Sequence, residues 1–323
     1  MQRYLFRLFL FILPIAVLAY PLDLFLSRQL ARSHGRPGES EVWNDIHNSR
    51  IHADVAIIGS SRAWVHFDTR MIEDSTGLQA YNFGIDGHDF RLQYLRHRRY
   101  LANNPPPRLI LMSVDLFTLS EVKDLYGLGQ FLPFMLFDTE VYSTTKDLHG
   151  FSLAEHFVPL VRYIGRRDQW KTADIIDPEH RLAFRYHGFR GMDLTWNNDL
   201  VNARNAQGSY EVTVHPKSVS LFHQFLKESK ENGIEVVLVW TPEHVSGRHF
   251  VQNRSTVHGL HERIAEQYGL LFLDYTNDPI CEDQRLFYNS LHLNKAGAER
   301  FTQKLIMDLQ THGRWPSTTR ATS

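Results

Sequence analysis

A serine and a histidine stand where they could carry out acyl transfer together. Ser61 ends the run Gly59-Ser60-Ser61, which follows a short apolar segment, and His292 lies near the opposite end of the chain. A serine hydroxyl becomes a useful nucleophile when a neighbouring base takes its proton, and histidine is a suitable base. We therefore predict Ser61 as the nucleophile and His292 as its general base.

Acyl transfer also needs donors for the negative charge that develops on the carbonyl oxygen. The backbone amides of Ser61 and Gly87 are the candidates, because Gly87 lacks a side chain and permits a close backbone approach. Arg62 and His88 flank these positions in the sequence. We predict that both contact the substrate.

Five short apolar runs, separated by helical patterns, must position these residues. The runs are 54–59, 79–83, 109–114, 234–240 and 270–273. This alternation predicts an α/β fold, a three-layer α/β/α sandwich with five parallel strands in the order 2-1-3-4-5. Ligands bind outside the carboxyl ends of such strands, where Ser61, Gly87 and Asp115 are expected.

In these segments the chain resembles the SGNH (GDSL-like) hydrolases, whose α/β sheet is flavodoxin-like. The first family block is similar to Gly59-Ser60-Ser61, the second to Asn82-Phe-Gly-Ile-Asp-Gly87, and the last, Asp-x-x-His, to Asn289-Ser-Leu-His292. The resemblance implies a catalytic serine at Ser61, a base at His292 and an oxyanion amide at Gly87. It is strongest to the extracytoplasmic, membrane-anchored branch linked to surface-polysaccharide acylation.

Two positions depart from the family pattern. Asn289 stands where the triad acid is expected; its amide oxygen can orient the histidine but carries no full charge, and Asp283 or Asp86 is the alternative acid. Asp115 is the third oxyanion candidate and stands where the family has an oxyanion-donating asparagine. We predict that Asp115 is protonated, turned away, or used to bind another group.

The N-terminus carries Arg3 and Arg7 before a charge-free run, 8–22. A run of 15 residues is short for a spanning helix of about 20, but neighbouring apolar residues extend it. We predict one transmembrane helix, with the remainder on the periplasmic side of a bacterial inner membrane. A cleaved signal peptide is the alternative. The predicted organisation is leader and anchor 1–33, linker 34–52, α/β domain 53–120 with 216–311, irregular insertion 121–215, and loose tail 312–323.

These residues and the resemblance predict esterase or O-acyltransferase chemistry on a cell-envelope glycan, with acetyl as the acyl group. The alternatives are a catalytically silent domain that binds glycan or an assembly partner, and a small-molecule lipase or thioesterase. The expected partners are the inner membrane, a glycan or acyl-ester substrate and other envelope polysaccharide proteins. A formal net charge of −1 argues against nucleic acid, and the sequence predicts no cofactor or metal.

Overall fold

A parallel sheet forms the centre of the computed structural model, which describes residues 2–33, 38–177 and 184–317. Its strands are β1 (Val55–Ile58), β2 (Ala80–Asn82), β3 (Leu109–Val114), β4 (Glu235–Trp240) and β5 (Leu271–Asp274). They pair in parallel in the order β2-β1-β3-β4-β5. The predicted α/β class, the five parallel strands and their order are confirmed. Parts of the predicted linker (34–37), insertion (178–183) and tail (318–323) lie outside the described residues.

Twelve α-helices occur within the described ranges. They are α1 (Gln2–Arg32), α2 (Glu39–His47), α3 (Ser61–His66), α4 (Thr69–Thr76), α5 (Phe90–Asn103), α6 (Thr139–Thr145), α7 (Leu153–Phe157), α8 (Thr172–Ile176), α9 (Asp199–Gln207), α10 (Pro216–Glu231), α11 (Arg254–Tyr268) and α12 (Lys295–Thr311). The last helix, α12, is capped at its N-terminus: the side chain of Asn294 accepts a hydrogen bond from the Gly297 amide at 3.0 Å.

Helices cover both faces of the sheet. Val237 and Val239 of β4 belong to one buried cluster with Phe301 of α12. Because side chains alternate along a strand, Trp240 points to the opposite face, where its ring packs against His261 of α11 at 5.5 Å. Strands β1 to β4 are therefore buried on both sides almost throughout, as their continuous apolar sequences predict, whereas the edge strand β5 is only partly buried.

The chain divides into two compact units. A helical unit comprises Met1–Asn48 and Lys123–Phe184, and a sheet unit comprises Ser49–Val122 and Arg185–Ser323. Residues 185–215, which the sequence places in the insertion, thus belong to the sheet unit. The predicted linker 34–52 contains helix α2, most of whose side chains are buried.

Within the helical unit, α1 carries a buried charge. The guanidinium of Arg162 donates two hydrogen bonds to the Asp23 carboxylate, at 2.6 and 2.7 Å, and both side chains are almost fully buried. Paired geometry of this kind offsets the cost of removing two charges from water.

The predicted transmembrane helix is not found. In the part of the chain that the structure describes, no helix combines the length and the apolar character that crossing a membrane requires. The charge-free run 8–22 is too short by itself, and α1 continues beyond it to the paired Asp23.

Gly59 allows the turn between β1 and α3 to lie against the sheet. A Cβ atom at this position would lie 2.8 Å from Ser113 Cβ and Ser113 O, and 2.9 Å from Ala63 Cβ. These neighbours belong to β3 and α3 and cannot swing aside as the end of a flexible side chain can. The strand-to-helix turn therefore requires glycine.

We expect Gly59→Ala to lower the free energy of unfolding by about 1–3 kcal/mol, because the added methyl group overpacks the junction. Denaturant unfolding followed by circular dichroism measures the change. The matched control is Gly259→Ala in α11, where a Cβ would meet only the ends of the Arg263 and Glu262 side chains. This control should gain about 0.5–1 kcal/mol, since alanine favours helix; equal behaviour of the two variants would contradict the packing argument.

Candidate active site

Ser61 is placed by the turn between β1 and α3. The strand ends at Ile58, and Ser61 is the first residue of the helix. The hydroxyl of Ser60 caps the helix by accepting a hydrogen bond from the Arg62 amide at 3.3 Å. The amide of Ser61 lies in the first helical turn, where N–H groups have no partner within the helix. It is thus suited to bind an oxyanion.

His292 meets Ser61 across 231 positions of sequence. The distance from Ser61 Oγ to His292 Nε2 is 2.8 Å, and His292 Nδ1 lies 2.9 Å from Oδ1 of Asn289. The structure therefore brings together the predicted nucleophile, base and orienting residue. This is the order of groups that activates a serine hydroxyl.

The amide of Asn289 has a defined orientation. Its Oδ1 accepts hydrogen bonds from the backbone amides of Leu291 at 3.0 Å and His292 at 2.9 Å. Both partners are obligate donors, so the oxygen and not the NH₂ group must face them. The same oxygen faces His292 Nδ1, which must then carry the proton. Nε2 is left with its lone pair directed at Ser61.

Asp199 extends this chain of contacts. Asn289 Nδ2 donates a hydrogen bond to Asp199 Oδ2 at 3.0 Å. A second bond joins the same segments, from the Asn197 amide to the Tyr288 carbonyl at 2.9 Å. Asp199 is the first residue of α9 and is exposed. Asp199 was not predicted from the sequence, because it lies in a region without a recognisable motif.

Burial sets the protonation state of His292. Desolvation, followed by the charge of Arg62, lowers its pKa to about 4, while Asp115 and Asp199 oppose the shift. The ring of Tyr288 stacks parallel to the imidazole, with centroids 5.2 Å apart. His292 is therefore neutral at pH 7, as a general base must be.

His66 is a fully buried histidine beside the site, which the sequence did not indicate. Its Nε2 accepts a hydrogen bond from the Leu293 amide at 3.0 Å. Burial, followed by the charge of Arg62, holds the pKa of His66 well below the ordinary value. A neutral His66 thus fixes the backbone immediately after His292.

A cavity of about 230 Å³ opens beside Ser61. Gly87, at φ +69°, lines it together with His292, so the second predicted oxyanion amide belongs to the same cavity. The remaining lining residues come from the strand-end loops and the 185–215 region: Ser60, Arg62, His88, Asp115, Phe117, Ser120, Glu121, Val122, Tyr210 and Leu291.

The carboxylate of Asp115 is occupied by donors. Its Oδ2 accepts from Ser60 Oγ at 2.5 Å, its Oδ1 accepts from the Phe117 amide at 2.7 Å, and the side chain is buried. A carboxylate that accepts on both oxygens stabilises the turn around Ser60. This arrangement does not supply the oxyanion donor that the family places here.

Arg62 and His88 both line the cavity and are almost fully buried. The guanidinium of Arg62 donates to the carbonyls of Thr241 and Pro242 and lies 3.7 Å from Glu243. These contacts tie α3 to the loop after β4. Of the alternative acids, Asp283 pairs with Arg285 and Asp86 is exposed, whereas Asn289 occupies the position on His292 Nδ1.

Among the residues that the structure describes, no group of three or more His, Cys, Asp or Glu side chains is arranged to hold a metal ion. The free Cys281 is buried, and burial raises the pKa of its thiol. Its Sγ donates to the Tyr275 carbonyl at 3.2 Å, which indicates a packing role.

No protein-family model and no curated protein matches the chain. Among solved structures, it is similar to a GDSL-like lipase from Bacteroides thetaiotaomicron, at 11% identity and a TM-score of 0.40, over 84% of this chain and 98% of that one. It is also similar to a protein named as lipolytic, of the G-D-S-L family, from Desulfitobacterium hafniense, at 9% identity and a TM-score of 0.41, over 79% and 99%. TM-scores this low assign neither a family nor an activity.

We expect the imidazole signals of His292 to titrate with a midpoint near pH 4, because burial penalises its charged form. His258 is the internal control: hydrogen bonding to Asp274 raises its pKa. Nuclear magnetic resonance, with assignments from His292→Gln and His258→Gln, measures both. A His292 midpoint at or above that of His258 would overturn the buried-base assignment.

Proposed function

We propose that the chain is an SGNH-type serine hydrolase that acts on acyl esters. The observation that carries this proposal is the 2.8 Å contact of Ser61 Oγ with His292 Nε2. It is supported by the Asn289 amide oxygen, which holds Nδ1 at 2.9 Å and fixes the productive tautomer.

The reaction proceeds through an acyl-enzyme. His292 Nε2 accepts the hydroxyl proton as Ser61 Oγ attacks the carbonyl carbon, and the amides of Ser61 and Gly87 bind the resulting oxyanion. The intermediate collapses, the ester C–O bond breaks, and His292 protonates the departing alkoxide. Water or an acceptor hydroxyl then attacks acyl-Ser61 while His292 takes its proton, and the bond from the acyl carbon to Ser61 Oγ breaks as His292 returns the proton to Oγ.

Asn289 makes this site weaker than one with a carboxylate, but it keeps the tautomer correct. In serine proteases the aspartate-to-asparagine change lowers turnover about 10⁴-fold, largely because the histidine takes the wrong tautomer. Here the Leu291 and His292 amides force the oxygen toward Nδ1. The remaining deficit is the missing full charge beside the imidazolium.

Cavity size supports a short acyl group. About 230 Å³ is smaller than the roughly 300–1,000 Å³ of sites that enclose drug-sized ligands. Phe117, Val122 and Leu291 give the wall apolar surface. An acetyl group fits this description better than a long acyl chain, so we propose acetyl.

The proposal has four further parts. The acceptor is a cell-envelope glycan, and transfer takes the place of hydrolysis. The protein lies on the extracytoplasmic side at the inner membrane, and its partners are envelope polysaccharide proteins. Their support is the resemblance of the sequence blocks around Ser61, Gly87 and His292. Transfer requires that the acceptor hydroxyl reach acyl-Ser61 before water does.

A catalytically silent glycan-binding or assembly domain is the second candidate. Asn289 favours it, because an amide cannot stabilise imidazolium with a full negative charge. The two candidates differ in one chemical property, the nucleophilicity of Ser61.

We expect a fluorophosphonate probe to label the wild-type protein at Ser61, and Ser61→Ala and His292→Ala to lose the label. Intact-mass spectrometry measures the adduct. The matched control is Ser220→Ala, which removes an exposed hydroxyl on α10 and should label as the wild type does. A blank signal from wild type and Ser61→Ala alike, with both proteins folded, would favour the silent domain.

We expect the kcat/KM for p-nitrophenyl acetate to be at least about tenfold higher than that for p-nitrophenyl octanoate. The reason is that methylene groups that do not fit the cavity weaken transition-state binding of the longer ester. Steady-state kinetics on the ester series measures this. Rising activity with chain length would instead identify a lipase-like site.

A further inference from the structure

We propose that Asp199 acts through Asn289 as a positioning residue for His292, so that the active site is a four-membered chain, Ser61–His292–Asn289–Asp199. This inference rests on the proposed function and adds to it a residue that replaces the missing triad acid. Successive contacts along the chain measure 2.8, 2.9 and 3.0 Å.

The amide of Asn289 can transmit the charge of Asp199. A carboxylate that accepts from Nδ2 stabilises the resonance form with a positive nitrogen and a negative oxygen. That oxygen is the group that faces His292 Nδ1, so its capacity to accept a hydrogen bond from the imidazole rises. The amide thus conveys part of the charge that a triad aspartate would supply directly.

The carboxylate also holds the amide in place. Oδ1 of Asn289 is bound by two backbone amides on one side, and Nδ2 is bound by Asp199 on the other. An asparagine with partners of opposite kind at its two ends has one satisfied orientation. A flipped amide would place its NH₂ group against two N–H donors and its oxygen against the Asp199 carboxylate, which would keep only the Asn197 side chain as a side-chain donor.

The 197–199 segment docks on the histidine loop by its backbone as well. The Asn197 amide donates to the Tyr288 carbonyl, one residue before Asn289. The Tyr288 amide in turn donates to the His292 carbonyl at 3.1 Å and closes the loop. The Asp199–Asn289 contact is therefore part of a built junction between the start of α9 and the catalytic loop.

Exposure limits the size of the effect. Water and salt screen the charge of an exposed carboxylate, so Asp199 cannot equal a buried triad acid. Asp199→Asn keeps an acceptor for Asn289 Nδ2 and removes the charge. Asp199→Ala removes both. The pair separates the electrostatic role from the positioning role.

We expect fluorophosphonate labelling of Ser61 to slow about threefold in Asp199→Asn and about tenfold in Asp199→Ala, in low-salt buffer. Added salt should narrow the gap between wild type and Asp199→Asn. Asp193→Asn is the matched control, because Asp193 is an exposed acid in the same 185–215 region. Ser61 in this variant should be labelled at the wild-type rate.

The charge can also be moved next to the imidazole. In the double variant Asn289→Asp with Asp199→Asn, the carboxylate would face Nδ1 and the amide would stand behind it. This change should raise the His292 pKa, because an adjacent negative charge stabilises imidazolium, and the acid limb of the labelling profile should move to higher pH. The single variant Asn289→Asp would place two carboxylates together, so labelling of Ser61 should be slower in it than in the double variant.

The ¹⁵N shifts of His292 separate failure of this inference from failure of the proposed function. They report tautomer and titration whether or not Ser61 reacts. We expect the Nδ1–H tautomer in the wild type and a mixture of tautomers in Asp199→Ala. Unchanged ¹⁵N shifts and an unchanged His292 midpoint in Asp199→Asn and Asp199→Ala would overturn the role of Asp199, even if labelling of Ser61 succeeds.

Discussion

The hydrogen bond between Ser61 and His292 is the interaction on which the proposed chemistry depends. It joins residues 231 positions apart, so it exists only because the parallel sheet brings the carboxyl end of β1 next to the loop before α12. Gly59 lets the serine turn lie against β3, and Asp115 fixes that turn through Ser60. On the other side, His66 and Asn289 fix the histidine loop through backbone amides.

The electrostatic balance of the site follows from burial. His292 is desolvated and faces the positive charge of Arg62, so its neutral form is strongly favoured and it remains a base over a wide pH range. The same factors make its charged form costly in the proposed reaction. The Asp199 carboxylate is farther from the imidazole and partly screened by solvent, so it stabilises the imidazolium less than an adjacent carboxylate would.

The sheet and its order could be predicted because five apolar runs alternate with helical patterns. Parallel strands covered by helices need such apolar runs, so the local pattern and the tertiary packing agree. Ser61, His292 and Gly87 could be placed together because each follows a strand or lies in a recognisable block. Asp199 could not, since its contact with Asn289 spans 90 positions and depends on an irregular segment. The hydrogen bonds from Arg62 to the loop after β4 could not be predicted either, because their acceptors are backbone carbonyls that carry no signal in the sequence.

The proposed mechanism requires an acyl-enzyme at Ser61, and trapping this intermediate tests the mechanism. Brief incubation with p-nitrophenyl acetate, an acid quench, and peptide mapping by mass spectrometry would locate any acetyl group. We expect one acetyl on the peptide that contains Ser61, absent from His292→Ala. Acetyl groups spread over surface lysines, with Ser61 unmodified, would contradict the assignment of this serine as the nucleophile.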